Sequence, residues 1–317
     1  KVFNNNGINE LIIDTGQHYD FNMSEIFIKE LNIPKPKFNL NIGSTSHAQQ
    51  TGEIISKLEP IILNNNPKAI LVYGDTNSTL GAAITASKLN IPLIHIEAGL
   101  RSFNKTMPEE INRIITDHMS SLLFCPSKNS QRNLKNETII NNSFIVGDVM
   151  FDIFKNFYSY FDSHNKYGDY ALLTMHRAEN TVSKILIKRL NQFSKLKMKF
   201  IYPLHPRTKK MITQENILLP DNIITIEPIG WLDLMKLANN AKFIITDSGG
   251  LQKEALWLKK HCITIRNETE WTETIEQGVN QLNTINNTLT IPNINKGNFS
   301  NPYGEGKATD KILDILI

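Results

Sequence analysis

Short apolar runs recur along the chain, each bounded by Gly, Pro, Asn, Asp or Ser and separated from the next by a stretch with helical spacing. The runs predict strands over residues 10–14, 69–74, 93–97, 121–125, 143–147, 169–175, 199–204, 222–227, 241–246 and 262–266. The intervening stretches predict helices over 22–32, 47–64, 78–89, 108–120, 127–135, 183–196, 231–239, 251–260 and 270–277. Strands that alternate with helices belong in parallel sheets covered on both faces, and ten strands fill two sheets better than one. The expected fold class is α/β.

The rhythm breaks over Asp148–Tyr167, where Phe151, Phe154, Phe157, Tyr158, Tyr160 and Phe161 cluster without strand spacing. We place a connection at 151–168, between a first domain over 1–150 and a second over 169–299, and read the aromatic cluster as packing. Lys1–Gly7 reads as the tail of a helix entering the first visible strand, so an initial strand and its loop are expected to be missing. The Asn-rich stretch Asn280–Asn298 reads as a strand-poor surface connection, and Gly304-Glu305-Gly306-Lys307 introduces a last helix over 308–317.

Composition narrows the function classes. With 317 residues, 40% hydrophobic and 21% charged, the chain has the makeup of a folded two-domain protein rather than a disordered one. A net charge of +3 without a basic block argues against nucleic acid and suits a small anionic ligand. Cys125 and Cys262 each border an apolar run and are expected to be buried, reduced thiols. No apolar segment approaches the roughly 18 residues of a membrane span, and the first residues do not read as a signal peptide. The simple expectation is a cytoplasmic enzyme with no membrane partner.

In parallel sheets, ligands bind beyond the carboxyl ends of the strands. The polar residues there are Asp14 with Gly16-Gln17-His18-Tyr19-Asp20, Asp75, Glu97, His176-Arg177, His205 and Asp247-Ser248. Any one of them is as readily a helix cap, but six on two sheets argue for a cleft between domains. Glu97 is followed by Ala98-Gly99-Leu100-Arg101, which sets a guanidinium beside a carboxylate at the expected cleft mouth. Glu109 and Glu110 follow Pro108, and spacing alone makes them dipole-compensating residues of a first helical turn.

The second half supplies the anion side. Ser248, Gly249 and Gly250 open a helix after an apolar run, where backbone N–H groups and the positive dipole end suit a diphosphate. Glu254 can accept bonds from a ribose diol. His176, Arg177, His205 and Arg207 add donors or positive charge at two further strand ends. No Gly-x-Gly-x-x-Gly follows a strand and no His/Cys cluster stands out, so neither a cofactor nor a metal is expected.

At these residues the chain resembles the non-hydrolysing UDP-N-acetylglucosamine 2-epimerases. The resemblance runs through Thr15-Gly16-Gln17-His18-Tyr19-Asp20, Gly74-Asp75-Thr76, His95-Ile96-Glu97-Ala98-Gly99-Leu100-Arg101, Pro108-Glu109-Glu110-Ile111-Asn112-Arg113, His176-Arg177-Ala178-Glu179-Asn180, His205-Pro206, Asp247-Ser248-Gly249-Gly250 and Gly304-Glu305-Gly306-Lys307. It implies two Rossmann-like domains of the GT-B type with the ligand in the interdomain cleft, UDP held mainly by the second domain, and the C-terminal helix, within 300–317, packing back on the first. It marks Asp75, Glu97 and Glu109 as acid/base carboxylates, which reverses the spacing-only reading of Glu109, and His205 as a further catalytic group. Ser248, Gly249 and Gly250 look like phosphate contacts and Glu254 like the ribose contact, with Arg101, His176, Arg177, Arg207 and Glu270 as further substrate-binding residues. A homodimer that uses a UDP-sugar to make cell-surface polysaccharide precursors is also implied.

Two departures stand out. The family's N-terminal Gly-Thr-Arg-Pro-Glu loop has no counterpart here. Thr269-Glu270-Trp271-Thr272-Glu273, together with Val146-Gly147-Asp148-Val149-Met150, is similar to the branch that acts on UDP-2,3-diacetamido uronic acids. A GT-B glycosyltransferase and a non-catalytic sugar-nucleotide binding protein are the competing classes; three carboxylates beside an anion site favour the epimerase.

Overall fold

Apolar runs alternating with helices give all-parallel sheets in the computed structural model, which describes residues 2–16, 30–31, 33–43, 45–162, 164–293 and 296–317. Gln17-His18-Tyr19-Asp20 and residues 22–29 of the helix expected over 22–32 lie outside the described residues. The chain divides into two units, Lys1–Lys155 with Pro302–Ile317, and Asn156–Asn301.

In the first unit, helix α1 (Val2–Asn5) precedes a parallel pair of short strands, β1 (Ile13–Asp14) and β2 (Phe38–Asn39). Helix α2 (His47–Asn65) follows, then β3 (Ile70–Tyr73), α3 (Asn77–Lys88), β4 (Leu93–Ile96), α4 (Pro108–Met119), β5 (Leu122–Cys125), α5 (Lys128–Asn136), β6 (Ser143–Ile145) and α6 (Val149–Phe157). The main sheet has the order β3-β4-β5-β6. Helix α2 starts at Ser46, whose hydroxyl accepts the Gln49 N–H, and stops at Asn66 in the left-handed region. Its Ile54, Leu58 and Ile62 recur at helical spacing and are buried with Leu40 and Ile42. Small residues on α3 let α2 approach closely: a Cβ on Gly81 would stand 2.5 Å from the Ile54 side chain.

The second unit contains β7 (Tyr170–Thr174), α7 (Ser183–Ser194), β8 (Lys199–Pro203), α8 (Pro206–Gln214), β9 (Ile223–Ile226), α9 (Trp231–Asn240), β10 (Phe243–Thr246), α10 (Gly249–Trp257), β11 (His261–Thr264), α11 (Thr272–Glu276) and β12 (Asn280–Leu282). Its six strands are ordered β12-β11-β10-β7-β8-β9. The chain therefore winds outward from β7 to β9, returns beside β7 as β10, and winds the other way to β12. Leu173, Phe193, Phe200, Phe243, Ile245 and Ile263 are fully buried in its core. Trp231 packs edge-on against Phe157 and Phe161, so these two aromatics are packing residues.

The last helix, α12 (Ala308–Leu316), belongs to the first unit. The Asp152 carboxylate on α6 accepts the N–H groups of Ala308 and Thr309 at 3.0 and 2.7 Å, and Ile312 is buried with Ile94, Ile96, Phe124 and Val146.

The expected connection over 151–168, within which the division between the two units falls, holds most of helix α6, whose Asp152, Lys155 and Asn156 recur at helical spacing as a polar stripe. Two sequence readings need correction. A helix that the spacing does not predict, α8, begins at Pro206, within the His-Pro-Arg sequence that reads as chemistry alone. The Asn-rich stretch contains strand β12, which pairs with β11 because Asn280 is buried and bonds Gln252, Thr264 and Thr274.

Candidate functional site

In the first unit, β3 and β4 end side by side, in register from Ile70 with Leu93 to Tyr73 with Ile96. Gly74 follows β3 at φ +63°, and a Cβ there would stand 3.9 Å from Glu97 Oε2, so the Glu97 carboxylate lies against the turn that carries Asp75. Glu97 itself adopts φ +73°. That conformation costs a non-glycine residue roughly 1–2 kcal/mol, and the Glu97 and Ala98 amides are both held by the Phe124 carbonyl at 3.1 Å.

Helix α4 clamps Asp75 from the side. Arg113 Nη1 reaches Asp75 Oδ2 at 2.6 Å, and Asn112 donates to the Asp75 carbonyl at 2.8 Å. Glu109 lies one turn earlier, at i−4 and i−3 from those two residues, and so on the same helix face. Asp75, Glu97 and Glu109 are all half-buried. The N-cap position of α3 is Thr76.

Glu110, beside Glu109 but about 100° around the helix, points inward. Its carboxylate accepts Ser102 N, Phe103 N and Arg113 Nη2 at 2.9, 2.8 and 2.6 Å. Burial pushes its pKa up, but the Ser102 amide, Arg113 and the Phe103 amide outweigh that and hold it below the ordinary value.

Arg101 is placed differently from the sequence reading. It is 1% exposed, with Nη1 on Asp117 at 2.6 Å and Nε and Nη2 each 2.7 Å from Glu137. It is an internal structural cation rather than a substrate contact at a cleft mouth, because its donors are committed to two carboxylates and to the Leu100 carbonyl. Asp117 also takes His95 Nδ1 at 2.7 Å and Gly99 N at 3.1 Å, and His95 Nε2 meets the Gly74 carbonyl at 2.8 Å.

In the second unit, β7 and β10 are adjacent although β8 and β9 lie between them in sequence, which makes their carboxyl ends the switch point where open α/β sheets bind ligands. Asp247 organises that point. Fully buried at the end of β10, it accepts the backbone N–H groups of His176 and Arg177 at 2.9 Å each, and Asn180 Nδ2 at 3.1 Å. It therefore fixes the loop after β7 rather than capping α10. His176 Nδ1 lies 3.3 Å from Asp247, and its ring stacks on His205 with centroids 5.4 Å apart. His205 caps α8 by accepting Arg207 N at 3.2 Å on Nδ1, which places the proton of a neutral ring on Nε2. The Arg207 guanidinium donates to the His176 carbonyl at 3.3 Å.

Helix α10 starts at Ser248, whose side chain makes no capping bond, and Gly250 has open space where a Cβ would stand. Gly249 has none: a Cβ there would stand 2.7 Å from Glu270 Oε1. Glu270 is buried and paired with Arg266 at 3.0 Å, so it backs this turn. Glu254 is 6% exposed, and its Oε1 accepts the Trp231 indole N–H at 2.6 Å. Cys125 and Cys262 are free and buried, each thiol pushed up to about 12 by desolvation.

Sequence reasoning quotes Glu110, Arg113, His95 and Asn180 within motifs but gives none of them the contacts seen here, and it does not single out Asp117. The Glu110 and Arg113 pair at i,i+3 is a readable signal; the cross-element bonds of His95 and Asn180 are not.

Parallel sheets with polar residues at their carboxyl ends, one of them doubly wound around a glycine-bearing helix start, define a Rossmann-like α/β protein. The sequence profile of the UDP-N-acetylglucosamine 2-epimerases matches residues 1–317, and the chain belongs to that family. A UDP-N-acetylglucosamine 2-epimerase homolog from Methanococcus maripaludis is 48% identical over 97% of this chain and 91% of its own length. A UDP-2,3-diacetamido-2,3-dideoxy-D-glucuronate 2-epimerase from Pseudomonas aeruginosa is 41% identical over 98% of this chain and 91% of its own. The crystal structure of Methanocaldococcus jannaschii UDP-GlcNAc 2-epimerase in complex with UDP-GlcNAc and UDP is similar, with a TM-score of 0.91 at 41% identity over 99% of this chain and 93% of that one.

Proposed function

We propose that this protein is an isomerase that interconverts UDP-N-acetylglucosamine and UDP-N-acetylmannosamine. The observation that carries the reading is the grouping of Asp75, Glu97 and Glu109 on adjoining elements of one unit, with Asn112 and Arg113 of α4 holding Asp75. Family membership and the likeness to an epimerase that holds UDP-GlcNAc support the substrate class.

C2–H of an N-acetylhexosamine is not next to a carbonyl, so a carboxylate cannot remove it unaided. As the C1–O bond breaks, positive charge at C1 acidifies C2–H. A carboxylate takes that proton, the C1–O electron pair leaves with UDP, and a 2-acetamidoglucal forms. Return of a proton to the other face of C2 and of the UDP oxygen to C1 gives the epimer. Two faces require two proton-handling groups, which accounts for more than one carboxylate.

Departing UDP needs stabilisation of its diphosphate. Ser248, Gly249 and Gly250 at the start of α10, with His176, Arg177, His205 and Arg207 at neighbouring strand ends, supply donors of the right kind. Glu254 is assigned to the ribose, and Glu270 to holding the Gly249 turn. The same reading has the enzyme working as a cytoplasmic homodimer, which light scattering of the purified protein tests. Among the described residues, no helix is long and apolar enough to cross a membrane.

Incubation with UDP-N-acetylglucosamine in D₂O, without any acceptor, is the deciding experiment. Deuterium entering C2 with formation of the manno epimer is the expected result; absence of both overturns the reading. A parallel arm with the diacetamido uronic acid substrate identifies the other branch if that arm alone exchanges.

A further inference from the structure

We propose that His95 is a positioning residue held as an imidazolium, and that this buried cation keeps Asp75 and Glu97 in register with the helix that presents Glu109. The inference deepens the epimerase reading and rests on it.

The three elements that bear the carboxylates meet at this one ring. His95 sits in β4, two residues before Glu97. Its Nε2 lies 2.8 Å from the Gly74 carbonyl at the end of β3, immediately before Asp75. Its Nδ1 lies 2.7 Å from Asp117 Oδ1 on α4, the helix that carries Glu109 in its first turn. Both side chains of the His95–Asp117 pair are fully buried.

The partners fix the protonation state. A carbonyl oxygen can only accept, so Nε2 must carry a proton. Asp117 also receives Arg101 Nη1 at 2.6 Å and the Gly99 N–H at 3.1 Å and sits well below the ordinary carboxylate range, so it too accepts, and Nδ1 must carry a proton as well. A neutral ring would set a lone pair against a lone pair at one of the two contacts. Burial works against the charge, but the Asp117 bond and charge, the Gly74 carbonyl and the Glu97 charge outweigh it and raise the His95 pKa above its usual value.

The charged surroundings balance. Asp117 on α4 and Glu137 after α5 offset His95 and Arg101; Glu137 also lies 3.3 Å from the exposed His118. Cys125 on β5 stays a neutral thiol, its pKa pushed up to about 12. Glu97 follows the end of that strand, and Asp75 beyond Gly74 is held by Arg113. Loss of the ring proton would release either Gly74 or Asp117. Glu97 holds a left-handed conformation at φ +73°, costly for a residue with a side chain, so its placement depends on such ties.

Because the folded pKa is raised, the tie is fully present below the unfolded value and is lost as pH rises through the folded one. ¹⁵N NMR of the histidine-labelled protein at pH 7 is expected to show both His95 nitrogens protonated, and the alkaline limb of kcat is expected to coincide with the His95 titration. His95→Gln is expected to lower kcat per folded molecule by at least about tenfold, the scale of misplaced catalytic groups, with KM and UDP affinity within about twofold. A lower melting temperature with kcat unchanged would make His95 a fold tie only and overturn the proposal. So would a neutral ring at pH 7, or an alkaline limb separated from the His95 titration. If His95→Gln does not fold, the wild-type NMR and kcat profiles decide. Wild type that exchanges no deuterium on either sugar would sink the epimerase reading while leaving the ring state readable, so the two failures are distinguishable.

Discussion

In the first unit, the carboxylates stand among charged side chains buried in the protein: Arg113 between Asp75 and Glu110, and His95 and Arg101 on Asp117. In the second, a single buried carboxylate, Asp247, gathers two backbone amides and a side-chain amide, while the rings and guanidinium of the rim remain partly exposed. The first arrangement pairs buried carboxylates with buried cations. The second holds its loop through amides, and two further buried carboxylates of that unit, Glu254 and Glu270, are bonded to Trp231 and Arg266.

That contrast can be broken at either end. The largest effect is expected from Glu109→Gln, which should lower kcat by about 10²–10⁴-fold while UDP affinity in calorimetry changes little; near-normal turnover would remove Glu109 from the chemistry. Asp247→Asn should do the opposite and weaken UDP binding by roughly tenfold to a hundredfold, equivalent to a charged hydrogen bond of about 1.5–3 kcal/mol. Unchanged UDP affinity there would show that the loop after β7 needs no anchor.

Arg113→Ala leaves Asp75 and the buried Glu110 without their shared cation, and removal of one partner from a buried pair costs about 3–5 kcal/mol. Denaturant unfolding should register that loss, and Arg113→Lys should recover part of the stability but little of the turnover, since a point charge cannot replace the fork. A smaller effect separates adjacent glycines. Gly249→Ala should destabilise by about 1–3 kcal/mol through displacement of Glu270, whereas Gly250→Ala should leave melting unchanged.

The smallest effect is one of pH. The Glu110 pKa is depressed on folding, so its contribution is present above its unfolded value of about 4.5 and is lost as pH falls through the folded value. The melting difference between wild type and Glu110→Gln should therefore shrink in acid and be constant near neutrality.

Much of the fold and of the site is legible in the residues themselves. Strands such as Ile70–Tyr73 and Leu122–Cys125 announce themselves through uninterrupted apolar residues, and the strand-end positions of Asp75, Glu97, His205 and Ser248 follow from where such runs stop. Helix α8 is hidden because Arg207, Thr208, Lys209 and Lys210 follow Pro206 directly and mask its apolar stripe. Strand β12 is hidden because asparagine is poor in strands, and only tertiary bonds to Asn280 make it acceptable there. Arg101 misleads for a related reason: its neighbour in sequence is the site, but its partners Asp117 and Glu137 lie on later elements. Spacing shows which residues can share a face; it does not show which of two adjacent glutamates turns inward.

The return of helix α12 to the first unit has a consequence for biosynthesis. All of Asn156–Asn301 emerges from the ribosome before Ile312 does, yet Ile312 fills the core beneath β4 and β5. The later-encoded half can thus mature while its predecessor still waits for a plug. Translation pauses upstream of residue 308 would prolong exposure of the Ile94, Ile96 and Phe124 surface, making the earlier half the one in need of chaperone shelter.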